Sequence, residues 1–307
     1  DTRVFREVCR VGETLKAISE LAGSEVKSQV AMIYDWDSRW AMEDSKGPRN
    51  DGLHHQEMLL KYYRAFRKQG MNVDLIDMDC SIEGYQVLVL PMTYMFKQGF
   101  AEKVRAFVEQ GGVLITTYWS GIADDTDRCY LGGTPHGLMD VLGLRSTEID
   151  GLFDWEENQL MPVDGNELGL FREYTCKYLC DLVKLDGAQA LMTYGSDFYQ
   201  GYPALTVNRY GKGSAWYVAA DAEQVFQEDF IAKLLEHEEI CGAVPGEIPE
   251  GLEVTTRETE DVRYYIYQNF GTGRVMLPLP EGETETVFGD PKQELEPYGL
   301  VVLRQRR

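Results

Sequence analysis

Between residues 29 and 118, short apolar runs alternate with helix-spaced apolar stripes, and this alternation constrains the fold more than any other feature of the chain. Gln29-Val30-Ala31-Met32-Ile33-Tyr34 is nearly continuous in apolar residues, as a strand covered on both faces requires. Val73–Asp77, Gln86–Pro91 and Val113–Tyr118 repeat that pattern. A helix over about residues 53–69 carries Leu59, Tyr63 and Phe66 on one side and closes at Gly70. A second, striped by Phe100, Val104, Phe107 and Val108, stops at Gly111-Gly112. Strands and helices joined by short links predict an α/β unit with a parallel sheet wrapped by helices. Right-handed crossovers then give a doubly wound, flavodoxin-like layout. Asp35 to Asp51 reads as a polar and aromatic loop. Loops leaving the C-terminal strand ends gather along one edge, which would bring Trp36 and Trp40 near the Tyr118-Trp119-Ser120-Gly121 turn.

Residues 4–22 read as one helix, with Phe5, Val8, Leu15, Ile18 and Leu21 near a single face and Gly23 as its stop. Nothing local can cover that face, so it reads as the last element of a body upstream. Residues 125–172 look Gly-rich and irregular. Apolar β-like runs follow near 175–185, 188–194, 203–209 and 214–219, the last two joined by a hairpin turn at Tyr210-Gly211-Lys212-Gly213. A helix is expected to open at Asp221, with Gln224 three residues later in capping-box fashion and Phe226, Phe230 and Leu234 buried. A linker from Ala243 to Gly251 precedes strands near 252–258, 262–270, 273–279 and 299–304. That tail is a small all-β unit whose core is marginal alone and should pack on the larger domain. The expected division is 1–25, 26–243 and 250–307.

The formal charge is −21, from 51 acidic against 30 basic residues, and so negative a surface repels phosphate backbones. Nucleic acid is therefore not an expected partner, and the basic run Arg304-Gln305-Arg306-Arg307 is too short to change that. No window approaches the roughly 18–20 apolar residues that cross a bilayer, so no membrane span is expected. No cationic segment followed by an apolar stretch marks a signal peptide, although a chain beginning at Asp1 would have lost one if cut from something longer. Six scattered cysteines suit free thiols in a reducing, cytoplasmic compartment. Cys176 and Cys180 are four apart, but no second Cys or His pair completes a zinc set.

The stretch Val30-Ala31-Met32-Ile33-Tyr34-Asp35-Trp36-Asp37-Ser38-Arg39-Trp40-Ala41 resembles the opening of the middle domain in glycoside hydrolase family 42 β-galactosidases. His55, Tyr63, Phe66, Gly70 and Val73 fit that family's next helix and strand. Asp79, Leu88, Pro91, Gly111-Gly112 and Thr116-Thr117-Tyr118-Trp119-Ser120-Gly121-Ile122-Ala123-Asp124 continue the match in order. The resemblance covers about residues 1–307. It implies that the opening helix is the end of a catalytic (β/α)8 barrel, that 26–243 form a trimerisation domain, and that 250–307 form a short β domain. It further implies a parent enzyme hydrolysing terminal β-D-galactosides with retention, through two carboxyl groups about 5–5.5 Å apart. In the family both are glutamates of the barrel, upstream of this chain, so no catalytic residue is expected here.

Thr117-Tyr118-Trp119-Ser120-Gly121 follows a strand, where an α/β-hydrolase or class I glutamine amidotransferase-like domain carries its nucleophile elbow. That signature needs Gly-x-Ser/Cys-x-Gly, and Thr117 and Tyr118 hold the leading positions. The reading is therefore a structural turn. Trp36, Trp40 and Trp119, with Tyr118 beside them, leave three readings open: core packing, a subunit contact, or the rim of a neighbouring barrel's sugar site. His54 and His55 are adjacent and project to different sides of a helix, a poor geometry for sharing a metal. Asp124, Asp125 and Asp127 lack the glutamate of a calcium loop and read as a hydrated loop or a partner of Arg128. Gly211-Lys212-Gly213 lies between β-like runs, so it is not a phosphate loop. No metal and no cofactor are expected. The leading expectation is a non-catalytic oligomerisation and support region, a homo-oligomer and specifically a trimer. An independent amidotransferase-like enzyme and a stand-alone carbohydrate-binding module are the alternatives.

Overall fold

The computed structural model describes residues 2–49, 52–292 and 294–307, which divide between two units. The larger comprises Gln29–Ala65 and Val73–Ile240, and the smaller gathers Asp1–Ser28, Phe66–Asn72 and Cys241–Arg307.

Helix α1, Arg3–Ala17, opens the smaller unit, capped by the Thr2 hydroxyl, which accepts from the Phe5 amide at 3.2 Å. None of its residues is buried; Val4, Phe5, Val8, Val11 and Leu15 remain exposed along it. The expectation of a helix with no local cover fits this stripe.

The alternating region contains β1 (Val30–Ile33), α2 (Trp36–Asp44), α3 (His55–Lys68), β2 (Val73–Ile76), β3 (Val87–Leu90), α4 (Phe100–Glu109) and β4 (Val113–Thr117). The four strands pair in parallel: Val30 lies opposite Val73 on one side and Val87 on the other, and Val87 lies opposite Val113. Every residue of β1, β3 and β4 is buried, whereas β2, at the sheet edge, is only partly so. The segment from Asp35 is not a loop throughout. Asp35 Oδ1 accepts from the amides of Asp37 at 3.0 Å and Ser38 at 3.1 Å, and this cap starts α2.

Past β4 come α5 (Met139–Leu142), β5 (Leu144–Gly151), β6 (Asn158–Pro162), β7 (Tyr174–Leu185), β8 (Gln189–Tyr194), β9 (Pro203–Tyr210), β10 (Gly213–Val218), β11 (Ala220–Ala222) and α6 (Gln224–His237). The sheet order is β11-β7-β6-β8-β9-β10-β4-β3-β1-β2, with β5 also on β7. One end, from β2 to β10, is parallel, and the strands beyond β10 continue it antiparallel. Residues 125–172 are thus more ordered than their composition implies. β5 hides from pattern reading because a bulge between Ser146 and Glu148 breaks its alternation. The hairpin turn forms as expected, and Gly211, at φ +59°, is needed there, since a Cβ would meet the Glu109 backbone at 2.6 Å.

The start of α6 departs from the capping-box reading. Asp221 sits in β11 and pairs with Lys61, so its carboxylate does not cap the helix, and Glu223 holds the N-cap position. Phe226, Phe230 and Leu234 are buried as expected.

The smaller unit ends with β12 (Leu252–Glu258), β13 (Val262–Asn269), β14 (Val275–Met276), β15 (Glu285–Phe288), β16 (Glu294–Leu295) and β17 (Leu300–Arg306). One antiparallel sheet runs β12-β13-β17-β15, and β14 pairs with β16. Its core includes Tyr265, Tyr267, Val301 and Leu303 together with Val244 and Ile248. The stretch from Ala243 to Gly251 is therefore no free linker: two of its apolar side chains complete this core. Residues 66–72 add to it through Arg67 and Asn72, which bond to β12.

Candidate functional site

The carboxyl ends of the parallel strands belong to the larger unit, and Asp35 organises them. Its buried carboxylate caps α2 through one oxygen and meets Lys97 Nζ at 2.9 Å through the other. Asp37 and Asp79 reach the same ammonium at 3.0 and 3.1 Å. Burial opposes the charge of Lys97, but hydrogen bonds to Asp35, Asp37 and Asp79 outweigh it, so the ammonium holds its proton more firmly than an ordinary lysine. A cleft of about 520 Å³ opens beside this group, lined by Trp40, Asp37, Asp79, Lys97 and Asp125 among others.

Fixed in this way, α2 presents Trp36 and Trp40 at 52% and 59% exposure, with ring centroids 5.8 Å apart. Arg39 lies between them on the helix. Its guanidinium stands 5.1 Å from the Trp36 ring centre and 5.9 Å from that of Tyr34, while Nε bonds Glu43 at 2.8 Å. Behind the pair, His55 stacks on Tyr34 at 5.8 Å, and burial lowers its pKa to about 4. His54 turns elsewhere, its ring 4.3 Å from Tyr178 and its Nδ1 3.3 Å from Glu57.

Tyr118 and Trp119 are placed differently, at 1% and 5% exposure. Trp119, two residues past the end of β4, adopts φ +59°, the left-handed conformation of a tight elbow, and its indole packs against Gly47 and Tyr94. Burial, and then the charge of Asp221, keep the Tyr118 phenol protonated. Ser120, which follows, is equally closed off: its Oγ accepts from the Thr93 amide at 3.1 Å. The structure therefore brings Trp36 and Trp40 together at the surface and folds Tyr118 and Trp119 inward. Among the described residues, no group of three or more His, Cys, Asp or Glu side chains is arranged to hold a metal. None of the six cysteines is joined in a disulfide. No helix among the described residues is long and apolar enough to cross a membrane.

Sequence reasoning missed further exposed aromatics, four of them on two segments of the larger unit. Phe153 and Trp155 stack at 4.8 Å with their planes 3° apart, in the segment between β5 and β6. Phe198 and Tyr202 stand on the loop between β8 and β9. Aromatic residues set among Gly, Asp and Glu at Gly151–Glu157 and Gly195–Tyr202 were the available signal. Isolated aromatics in irregular stretches usually pack inward, and the periodicity that marks a face is absent there.

The family described as β-galactosidase trimerisation domain matches residues 28–241, and the family described as β-galactosidase C-terminal domain matches 251–305. β-Galactosidase BglY of Alicyclobacillus acidocaldarius is 41% identical over 309 residues, which cover 99% of this chain and 45% of that protein. Among solved structures, a β-galactosidase from Rahnella sp. R3 superposes with a TM-score of 0.93 at 42% identity, covering 100% of this chain and 45% of that one. One from Bacillus circulans sp. alkalophilus gives 0.92 at 32%, covering 99% and 45%. The chain thus spans a little under half the length of these relatives.

Proposed function

The chain belongs to the glycoside hydrolase family 42 β-galactosidases, as their trimerisation and C-terminal domains, and from that premise we propose that it is the oligomerisation and support region of a β-galactosidase. In this reading the parent enzyme hydrolyses terminal β-D-galactosides with retention on a barrel upstream. This chain holds three such barrels about a threefold axis and contributes no catalytic carboxylate. The observation that carries the reading is α1: a fifteen-residue helix whose Val4, Phe5, Val8, Val11 and Leu15 all lie exposed. An apolar stripe of that size in water calls for a cover, and relatives more than twice as long supply a body to provide it. Residues 1–25 are accordingly read as the terminal helix of the barrel.

A flavodoxin-like, class I glutamine amidotransferase-like core is supported by the parallel order β2-β1-β3-β4-β10, which matches the 2-1-3-4-5 pattern of that layout. Likeness of layout does not bring amidotransferase chemistry with it. An indole occupies the elbow and the neighbouring Ser120 hydroxyl is engaged, which counts against an independent enzyme. Six cysteines outside any disulfide suit a cytoplasmic setting.

The test joins this chain to the barrel half of a relative such as the Alicyclobacillus enzyme and follows release of a chromogenic galactoside. The expected result is no turnover by the chain alone, turnover by the joined protein, and loss of most of it when Val8 and Leu15 are changed to Asp. Turnover by the isolated chain, or a joined enzyme indifferent to the α1 changes, would overturn the reading.

A further inference from the structure

We propose that Phe270 and Tyr298, at one end of the β13–β17 pair in the smaller unit, form a stacking platform for a neutral sugar, a β-linked galacto-oligosaccharide. The identity of the sugar rests on the galactosidase reading, whereas the site itself rests on the exposure of the two rings and the backbone strain at one of them.

The turn Glu296-Pro297-Tyr298-Gly299 closes through the Gly299 amide, which donates to the Glu296 carbonyl at 3.0 Å. Tyr298, its third residue, adopts φ +58°. With proline at the second position this is a type II turn, whose third position suits glycine or asparagine because other side chains are strained there. A tyrosine holds it although a glycine stands next in sequence. Its ring is 74% exposed, so packing within the chain does not offset the strain. The compensation lies outside the fold. Phe270, 63% exposed, is the second ring. Gln268 of β13 lies opposite Leu300 of β17, and that register carried two residues further sets Phe270 across from Tyr298. Two ties fix the turns that bear the rings. Buried Asn269 donates through Nδ2 to the Gly273 carbonyl at 2.8 Å on one turn, and to the Leu295 and Glu296 carbonyls at 3.1 and 3.0 Å on the other. At the surface Arg274 clasps Glu296, Nε to Oε2 at 3.0 Å and Nη2 to Oε1 at 2.7 Å. The rings thus stand on fixed backbone, which lowers the ordering cost when a ligand arrives.

Size, charge and chemistry single out a neutral sugar. Aromatic side chains bury about 150–250 Å² each, and at these exposures the two rings offer roughly 300 Å² together. One partner in a standard protein interface gives about 800 Å², so the platform has the scale of a small ligand. Arg274, the cation beside the rings, is already held by Glu296 and Glu294, which leaves it no charge to give a phosphate or carboxylate. A chain of charge −21 repels such anions as well. An incoming cation would have to compete with Arg274 for the same carboxylates. A sugar meets neither obstacle. Its apolar C–H face lies on an aromatic ring, and its hydroxyls bond to polar groups at the edge. Phe270 and Tyr298 supply the rings, and the Tyr298 hydroxyl with the Arg274–Glu296 pair supplies donors and acceptors. Because the platform is open, it suits a chain of several sugars and keeps that chain beside the parent enzyme.

Calorimetric titration of the full 307-residue chain with a β-linked galactotetraose tests this, with thermal midpoint and light-scattering mass taken on the same samples. The wild type is expected to bind in the millimolar range. Tyr298→Gly removes the ring and relieves the turn, so affinity should fall at least about tenfold while the thermal midpoint holds or rises. Phe270→Ser should lose a similar factor, and Phe171→Ser, at an exposed phenylalanine of the larger unit, should bind as the wild type does. A wild type that gives no heat at tens of millimolar sugar overturns the proposal. So does a Tyr298→Gly chain that melts lower or changes mass, since the ring then packs within the chain or against another copy. A Phe171 variant weakened as much as the other two overturns the location, and tighter binding of a β-linked glucotetraose overturns the choice of sugar. Each of these failures leaves the galactosidase reading standing, because turnover of the joined protein decides that reading separately. A joined protein without turnover, in a chain whose binding still depends on Tyr298, removes that reading and upholds the platform as a sugar site.

Discussion

The hydroxyl of Tyr217 donates to Oδ2 of Asp181 in the interior of the larger unit, and neither side chain reaches solvent. Oδ1 of Asp181 has no partner among the described residues, and no cation is placed to balance the carboxylate. Burial pushes its pKa up to about 7, with the hydrogen bond from Tyr217 acting in the opposite direction. An unfolded aspartate titrates near 3.9. Between about pH 4 and 7 the folded chain therefore keeps a proton that the unfolded chain has released. The stability this group contributes is present below pH 4 and is lost as pH rises through 7, by up to ~4 kcal/mol. Urea midpoints at pH 5 and pH 8 check this. Asp181→Asn should remove most of the fall between them, and an unchanged fall in the variant would reject the assignment.

His55 acts with the opposite sign. Burial lowers its pKa to about 4, so in the folded chain it stays neutral where an unfolded histidine, near 6.5, takes a proton. Its contribution is complete above pH 6.5 and is lost as pH falls toward 4. In the wild type the two slopes oppose one another. With Asp181→Asn in place, stability should rise with pH from 4 to 6.5, and adding His55→Gln should flatten that rise.

Arg67 anchors residues 66–72 in the smaller unit. Its Nη2 reaches Glu253 at 2.6 Å and the Val254 carbonyl at 2.8 Å, and Nη1 reaches the Met71 carbonyl at 2.7 Å. Removing the guanidinium leaves two backbone acceptors without it, a larger loss than removing the half-exposed carboxylate. Arg67→Met should cost about 2 kcal/mol and Glu253→Gln under about 1 kcal/mol. Equal losses by chemical denaturation would show that the ion pair, not the carbonyl bonds, is what matters.

Gly47 leaves room for the Trp119 indole, since a Cβ at that position would meet Cη2 at 2.4 Å and Cζ2 at 2.6 Å. Gly47→Ala should cost about 1–3 kcal/mol by overpacking and shift the emission of Trp119. Emission and thermal midpoint both matching the wild type would mean the loop yields freely.

Much of the fold was legible because its strands are buried on both faces. Val30–Ile33, Val87–Leu90 and Val113–Thr117 each announce themselves as apolar runs; α6 buries the residues its spacing selects, and α4 buries Phe100, Val104 and Val108 but leaves Phe107 half-buried. Two of the errors share one cause. Asp35 and Asp221 carry the same cap-forming chemistry, yet Asp35 caps a helix that sequence reading took for a loop, while Asp221, read as a cap, is claimed by Lys61, 160 residues away. The candidate surface was legible only in part, because Trp36 and Trp119 look alike until the packing of Gly47 against one of them is known.

The amino-acid order by itself determined the buried strands and most of the helices, and which family the chain resembles, because periodicity and motif spacing are local properties written along the chain. Tertiary structure alone decided which aromatics face water, which carboxylates are buried, and that the turns bearing Phe270 and Tyr298 meet through Asn269 and Arg274. Exposure and ion pairing depend on what the rest of the chain brings alongside, and no local pattern records it.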